Sequence, residues 1–428
     1  MKLEIGKIMI NEIRFGEKSQ IKSGVLIVNK AELIELIAAD KDLESVALDI
    51  TKPGDETRII PVKDVIEPRV KVEGEGEIFP GLLGSVETVG SGRTHVLKGA
   101  AVVTTGRIVG FQEGIIDMSG EGAKYTPFSK LNNLVMTCEP AAGIDSYAHE
   151  EAIRMAGLKA AAYLGKLAKD LTPDEVETFE TKPLLQQAAL YPELPKVVYV
   201  YMLQSQGLLH DTYVYGVDAK KIIPTFIYPT EIFDGAVLSG NCVSACDKNP
   251  SYVHLNHPII EDLYARDGKD FNFLGCVITN ENVFLADKHR SSNMTAKLVE
   301  FLGADAVIIS EEGFGNPDAD LVMNCNKISA KGIKTVLMTD EYAGQDGASQ
   351  SLADSTPAGD AVVTGGNANQ LITLKPMKKV IGHPAAADVV AGGHNGSLQA
   401  DGTIRAEIQL ITGSTSEVGF HNLSAKTV

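Results

Sequence analysis

The first third of the chain alternates short apolar runs with breakers. Ile8 to Ile13 and Gly24 to Val28 are bounded by Gly, Pro and charged residues, the pattern of strands closed by turns. Within Ala31 to Ala39, Leu33, Ile34 and Ile37 fall at helical spacing and predict one short helix. At Ser146 the period changes. Glu150 and Glu151 in the first turn and Lys166 and Lys169 near the finish match a helix dipole, predicting an amphipathic helix to about Leu171. Thr172-Pro173-Asp174-Glu175 then predicts a second helix, with Thr as the cap, Pro at the first helical position and Glu175 returning a bond to the cap. Val197 to Met202, aliphatic and aromatic in alternation, reads as a buried strand.

Beyond Phe273 strand and helix alternate. Phe273 to Thr279 is an apolar strand, followed by a helix whose Met294, Leu298, Phe301 and Leu302 are expected on one face and which Gly303 ends. Ala306 to Ser310 is the next strand. Asn316-Pro317 opens a helix carrying Leu321, Val322, Cys325 and Ile328, Gly332 closes it, and Thr335 to Met338 forms another strand. The predicted class is α/β, a β-rich N-terminal region joined to an α/β C-terminal region with a mostly parallel sheet. In such a sheet ligand sites lie past the carboxyl ends of the strands, here around Glu311 to Asn316 and Asp340 to Gly347.

Composition narrows the function. A chain of 428 residues, 44% apolar and 22% charged, has the make-up of a folded globular protein. Fifty-six acidic residues against thirty-nine basic ones leave a net charge of -17, which repels phosphate backbones and anionic lipid. Nucleic acid and membrane surfaces are therefore not expected as partners. No apolar run approaches the roughly eighteen residues a membrane span needs, and Lys2, Glu4 and Lys7 interrupt the start, so a cytoplasmic protein is expected. Five scattered cysteines imply reduced thiols rather than a disulfide framework, and Cys138, Cys276 and Cys325 sit in apolar segments as core residues would.

Gly74-Glu75-Gly76, Gly90-Ser91-Gly92 and Gly313-Phe314-Gly315 each fail to complete GxGxxG, and no P-loop is present, so neither NAD nor ATP is expected. The Cys242-x3-Cys246-x7-His254-x2-His257 spacing matches no familiar zinc site, and no metal is expected. One segment stands apart: Asp234-Gly-Ala-Val-Leu-Ser-Gly-Asn-Cys-Val-Ser-Ala-Cys-Asp247, small and thiol-bearing. Gly240 and Asn241 tolerate the unusual backbone a peptide bond needs if the next side chain is to attack its carbonyl. The Cys242 thiolate could take the Asn241 acyl group as a thioester. β-Elimination of that thiocarboxylate leaves dehydroalanine, which tautomerises and hydrolyses to a ketone, an N-terminal pyruvoyl group. An Asn-Cys pair is also what an ordinary turn contains.

Four stretches decide between these readings: Pro61-Val62-Lys63-Asp64-Val65-Ile66-Glu67-Pro68-Arg69-Val70, Gly110 to Met118, Gln206 to Gly216, and Ser239-Gly240-Asn241-Cys242-Val243-Ser244-Ala245-Cys246-Asp247-Lys248-Asn249-Pro250. Through them the chain resembles, over essentially its whole length, the precursor of the α and β subunits of the glycine/sarcosine/betaine reductase component B family. The resemblance implies cleavage between Asn241 and Cys242, giving residues 1–241 as the α subunit and 242–428 as the β subunit. It also implies a pyruvoyl cofactor made from Cys242 that binds the substrate amine as a Schiff base for reductive C–N cleavage. The partners implied are a selenocysteine-containing component B subunit, selenoprotein A and a component C that releases acetyl phosphate. Glycine or sarcosine suits this chemistry better than betaine, whose quaternary nitrogen has no N–H. Ser244, Cys246 and Asp247 are candidates to assist proton transfers, and turn roles fit them equally. Arg93, Arg266 and Arg290 qualify for the substrate carboxylate by residue type alone, and His210, His254 and His257 as general bases, against surface and structural roles. The remaining alternative is a metal-binding or scaffold subunit with Cys242 unmodified.

Overall fold

The computed structural model describes residues 1–110, 113–206, 209, 211–240 and 249–412, and the backbone of 424–426. Three main sheets carry it. The first takes Glu175–Glu180, Lys2–Met9, Gly92–Lys98 and Arg69–Glu73 in that order. The second orders Gly114–Asp117, Thr57–Ile66, Ala100–Thr105, Asn132–Pro140 and Leu43–Thr51, with Lys379–Gly382 added in parallel to Thr57–Ile66. The N-terminal region is thus β-rich, with the short expected helix at Lys30–Ala38.

The third sheet runs Thr225–Ile227, Asn272–Asn280, Lys196–Leu203, Ala306–Ser310, Lys334–Glu341, Ala361–Asn367 and Ser424–Lys426. The five inner strands are parallel and the two outer ones antiparallel. Asn272–Asn280 lies on one side of Lys196–Leu203, and the later strands succeed one another on its other side. The chain therefore reverses direction across the sheet beside Lys196–Leu203, the switch point at which doubly wound sheets open a crevice at their carboxyl edge. This central strand is buried on both faces. Val198, Val200 and Met202 pack with Val299, Leu302, Leu321 and Ile328 of helices Leu285–Leu302 and Asn316–Ser329, while Tyr199, Tyr201 and Leu203 face the N-terminal layer.

Three expectations are corrected. Residues after Thr172 form no helix: Glu175–Glu180 is a strand antiparallel to Lys2–Met9, and the Asp174 carboxylate, instead of supporting a cap, accepts the Met9 N–H at 2.8 Å. The preceding helix is Ser146–Lys166, capped by Asp145 and shorter than expected. In Leu285–Leu302 the buried face is Ser291, Ser292, Thr295, Ala296, Val299 and Leu302, and Phe301 is 78% exposed. Gly303 does close that helix, at φ 72°.

Helix Ser146–Lys166 approaches the sheets closely because its packed face is small, through Gly157, Ala160, Ala161 and Gly165. A Cβ on Gly165 would lie 2.0 Å from the Arg69 carbonyl oxygen. In an open helix Gly→Ala stabilises by up to about 1 kcal/mol. Here Gly165→Ala is expected to destabilise by about 1–3 kcal/mol, read by urea unfolding; a gain would refute the close approach.

Candidate active site

Acidic side chains gather where the parallel strands end. Gln204 follows the central strand, Glu281 follows Asn272–Asn280, and Glu311 and Glu312 follow Ala306–Ser310; all three glutamates are fully buried. Glu312 connects them. Its backbone N–H donates to Glu281 Oε1 at 2.7 Å. Its carboxylate accepts the Gln204 N–H at 2.7 Å, the Thr212 hydroxyl at 2.6 Å and the Asn249 N–H at 2.8 Å. Burial pushes Glu281 well above the usual carboxylate range, and the charges of Glu312 and Glu311 add to this. Glu311, which accepts from the Thr339 hydroxyl, is raised likewise by burial and then by Asp318. The protonated forms of both are favoured, so this floor can hold acidic protons where Glu281 Oε2 and Glu311 Oε2 have no partner among the described residues.

The flanks of segment 241–248 meet above this floor. Ser239 N–H donates to the Ser251 hydroxyl at 3.2 Å, and Asn249 is fixed on Glu312. Ser251 is held in turn by Asp64, whose carboxylate accepts its N–H at 2.9 Å and its hydroxyl at 2.7 Å. Burial raises Asp64 to about 7 despite these bonds. Gly240 permits a tight passage, since a Cβ there would stand 2.1 Å from the Asp211 carbonyl oxygen and 3.2 Å from the Tyr213 ring.

Tyr199 and Tyr201, two apart on one strand face, stack with ring centroids 5.3 Å apart. Tyr201 bonds His254 Nδ1 at 2.9 Å and accepts from the Asn249 amide at 3.0 Å. Tyr199 bonds His257 Nε2 at 3.2 Å and the Ser310 hydroxyl at 2.5 Å. Burial lowers His254 to about 3 and holds His257 well below its ordinary value, so both imidazoles are neutral at physiological pH. The structure thus brings His254 to the site, with Nε2 3.6 Å from Glu312 Oε1, as a weak base in a fixed hydrogen-bond network.

Asn241, Cys242, Ser244, Cys246, Asp247 and His210 lie outside the described residues. The three arginines expected as carboxylate binders are paired elsewhere, Arg93 with Glu4, Arg266 with Asp262 and Asp270, and Arg290 with Asp287. Sequence reasoning located the edge that holds Glu311 and Glu312 but missed Asp64, Tyr199, Tyr201 and Asn249 as site residues. Asp64 and Asn249 fall inside the stretches that carry the resemblance, which was the available signal. Tyr199 and Tyr201 carried only the signature of a buried strand.

Matching against family models places residues 1–426 under the glycine/sarcosine/betaine reductase component B subunits. The chain belongs to that family. Over the full length of both proteins it is 65% identical to the glycine reductase complex component B subunits alpha and beta of Acetoanaerobium sticklandii, and 64% identical to the protein of that name from Peptoclostridium acidaminophilum. The sarcosine reductase complex component B subunit alpha of the latter organism is 57% identical, again over the whole of both chains. No solved structure matches. This component B chain is accordingly an oxidoreductase subunit, and among its described residues no helix is long and apolar enough to cross a membrane.

The buried imidazole generates a pH prediction. Between its ordinary value of 6.5 and about 3, the unfolded chain binds a proton at His254 that the folded chain refuses, so this contribution to stability is complete above pH 6.5 and is lost as pH falls toward 3. His254→Gln removes the dependence. The cost of the substitution, measured by denaturant unfolding, should be smaller at pH 5 than at pH 7 by about 2 kcal/mol. An equal cost at both would show that His254 is not held neutral.

Proposed function

We propose that this chain is the self-processed, pyruvoyl-bearing component B subunit pair of a selenium-dependent glycine reductase, cut between Asn241 and Cys242. The observation that carries the reading is full-length 65% identity to a chain whose name gives one precursor two subunits, together with flanks of Cys242 pinned at the switch-point edge of the sheet. Glycine is preferred because two glycine reductase relatives are more similar than the sarcosine one. A second reading, reduction of sarcosine, differs only in the N-methyl group.

The surroundings suit a small polar prosthetic group. Ser239 Oγ before the segment and Asn249 Oδ1 after it are buried without a partner among the described residues, as is His254 Nε2. When present, the pyruvoyl group would supply an electrophilic carbonyl for the substrate amine and an electron sink for reductive C–N cleavage, with the flanks at Ser239 and Asn249 holding it. The chain's own residues do the rest: Glu312, and Asp64 through Ser251, fix the segment's flanks, the neutral Tyr–His network packs beside them, and Glu281 and Glu311, biased by burial toward their protonated forms, supply protons to a leaving amine. Electrons come from elsewhere. Cys138, Cys276 and Cys325 are buried, with burial pushing the Cys138 thiol to about 12 and the Cys276 thiol well above its ordinary value, so neither of these two offers a thiolate. That supports a selenocysteine-bearing subunit as reductant, with selenoprotein A and the acetyl-phosphate-forming component C downstream.

Intact-mass analysis of the purified protein should show two polypeptides, 1–241 and 242–428, the second blocked to Edman sequencing and reactive to hydrazine. Cys242→Ala should abolish cleavage and glycine-dependent activity together; retained activity rules the mechanism out. The cut chains should nevertheless co-elute without denaturant, because Lys196–Leu203 lies between Asn272–Asn280 and Ala306–Ser310. Separation in native buffer would contradict the interlocked sheet.

A further inference from the structure

A zwitterionic amino acid brings a carboxylate as well as an amine, and a buried carboxylate needs a cation with hydrogen-bond donors to spare. Near the flanks of Cys242 the structure supplies one. Arg154, in the third turn of helix Ser146–Lys166, is 4% exposed and its guanidinium carbon stands 4.4 Å from the centre of the Tyr213 ring. This is the ring against which Gly240, two residues before Cys242, is pressed. Nε of Arg154 donates to Glu150 Oε1 at 3.1 Å, and the remaining contact is a long one, from Nη1 to the Met155 sulfur at 3.8 Å. The edge formed by Nη1 and Nη2 therefore has no oxygen acceptor among the described residues, and it is this edge that grips a carboxylate with two parallel bonds. The neighbouring cation, Lys220, is instead taken up by Asp211 at 2.9 Å and Asp218 at 3.4 Å.

We propose that Arg154 binds the carboxylate of the amino-acid substrate and thereby selects carboxylate-bearing amines over simple amines. Tyr213 holds the guanidinium flat and Glu150 holds its far edge, so the free edge is oriented before substrate arrives. This rests on the reading of Cys242 as the source of a carbonyl, and the experiment separates the two.

Carbonyl content is first titrated with a hydrazine in the wild-type complex and in the Arg154→Gln and Arg154→Lys variants. Each is then incubated with glycine or methylamine and cyanoborohydride. Condensation expels water, hydride fixes the new C–N bond, and mass spectrometry reads the adduct per carbonyl. Wild type should trap glycine at concentrations about 10- to 100-fold lower than methylamine, and acetate should compete with glycine but not with methylamine. Arg154→Gln should lose the preference and the acetate effect while trapping methylamine as before, and Arg154→Lys, which keeps the charge and gives the readout should the Gln variant remain uncut, should fall between. Variants that keep the wild-type preference for glycine, or lose both amines equally, overturn the role of Arg154. A wild-type complex without a hydrazine-reactive carbonyl overturns the reading of Cys242 itself.

Discussion

The site depends on one buried carboxylate. Glu312 has no exposed surface, and a carboxylate in that position is made tolerable by donors that converge on it, three of them among the described residues. Those donors come from the end of the central strand, from the loop before Tyr213 and from the residue that follows segment 241–248. A single acceptor therefore ties a sheet edge to the loop before Tyr213 and to the residue that follows segment 241–248. Removing it would leave a backbone N–H at Gln204 and another at Asn249 buried without this acceptor.

Around Glu312 the titratable groups are driven apart by their surroundings. Burial pushes Glu281 and Glu311 toward their protonated forms and pushes His254 and His257 toward their neutral ones. Four of the groups around Glu312 are thus biased toward their uncharged forms. Carboxylate recognition then falls to a guanidinium outside that acidic floor, next to Tyr213.

Much of the fold was legible because its determinants are local. The buried strands of the third sheet announce themselves as continuous apolar runs, and Gly303 supplies the left-handed residue that ends its helix. Thr172 to Glu175 misled because a capping pattern is a local signal, whereas Glu175–Glu180 is decided by distant pairing with Lys2–Met9 and by ion pairs from Lys7 to Glu175 and Glu177. Phe301 misled because helical spacing identifies a face but not which neighbouring face is covered. Among the described residues the site was legible only along the sheet edge, and Cys242 lies outside them. Gln204, Thr212, Asn249 and Glu312 are separated by long stretches of chain, so no window of sequence contains their meeting. The arginines singled out by type are satisfied by nearby surface acids.

The placement of Lys196–Leu203 has a consequence for how the molecule comes into being. It is synthesised well before either strand that will flank it, with apolar side chains on both faces and no sheet to enter. Until Ala306–Ser310 emerges, the ribosome-bound chain carries a sticky, half-built layer, and its remaining parts must thread onto a strand already made. Completion of the sheet therefore waits on the strands that follow Lys196–Leu203 in the chain. Halves produced from separate messages would each start life lacking the neighbour that makes the other soluble.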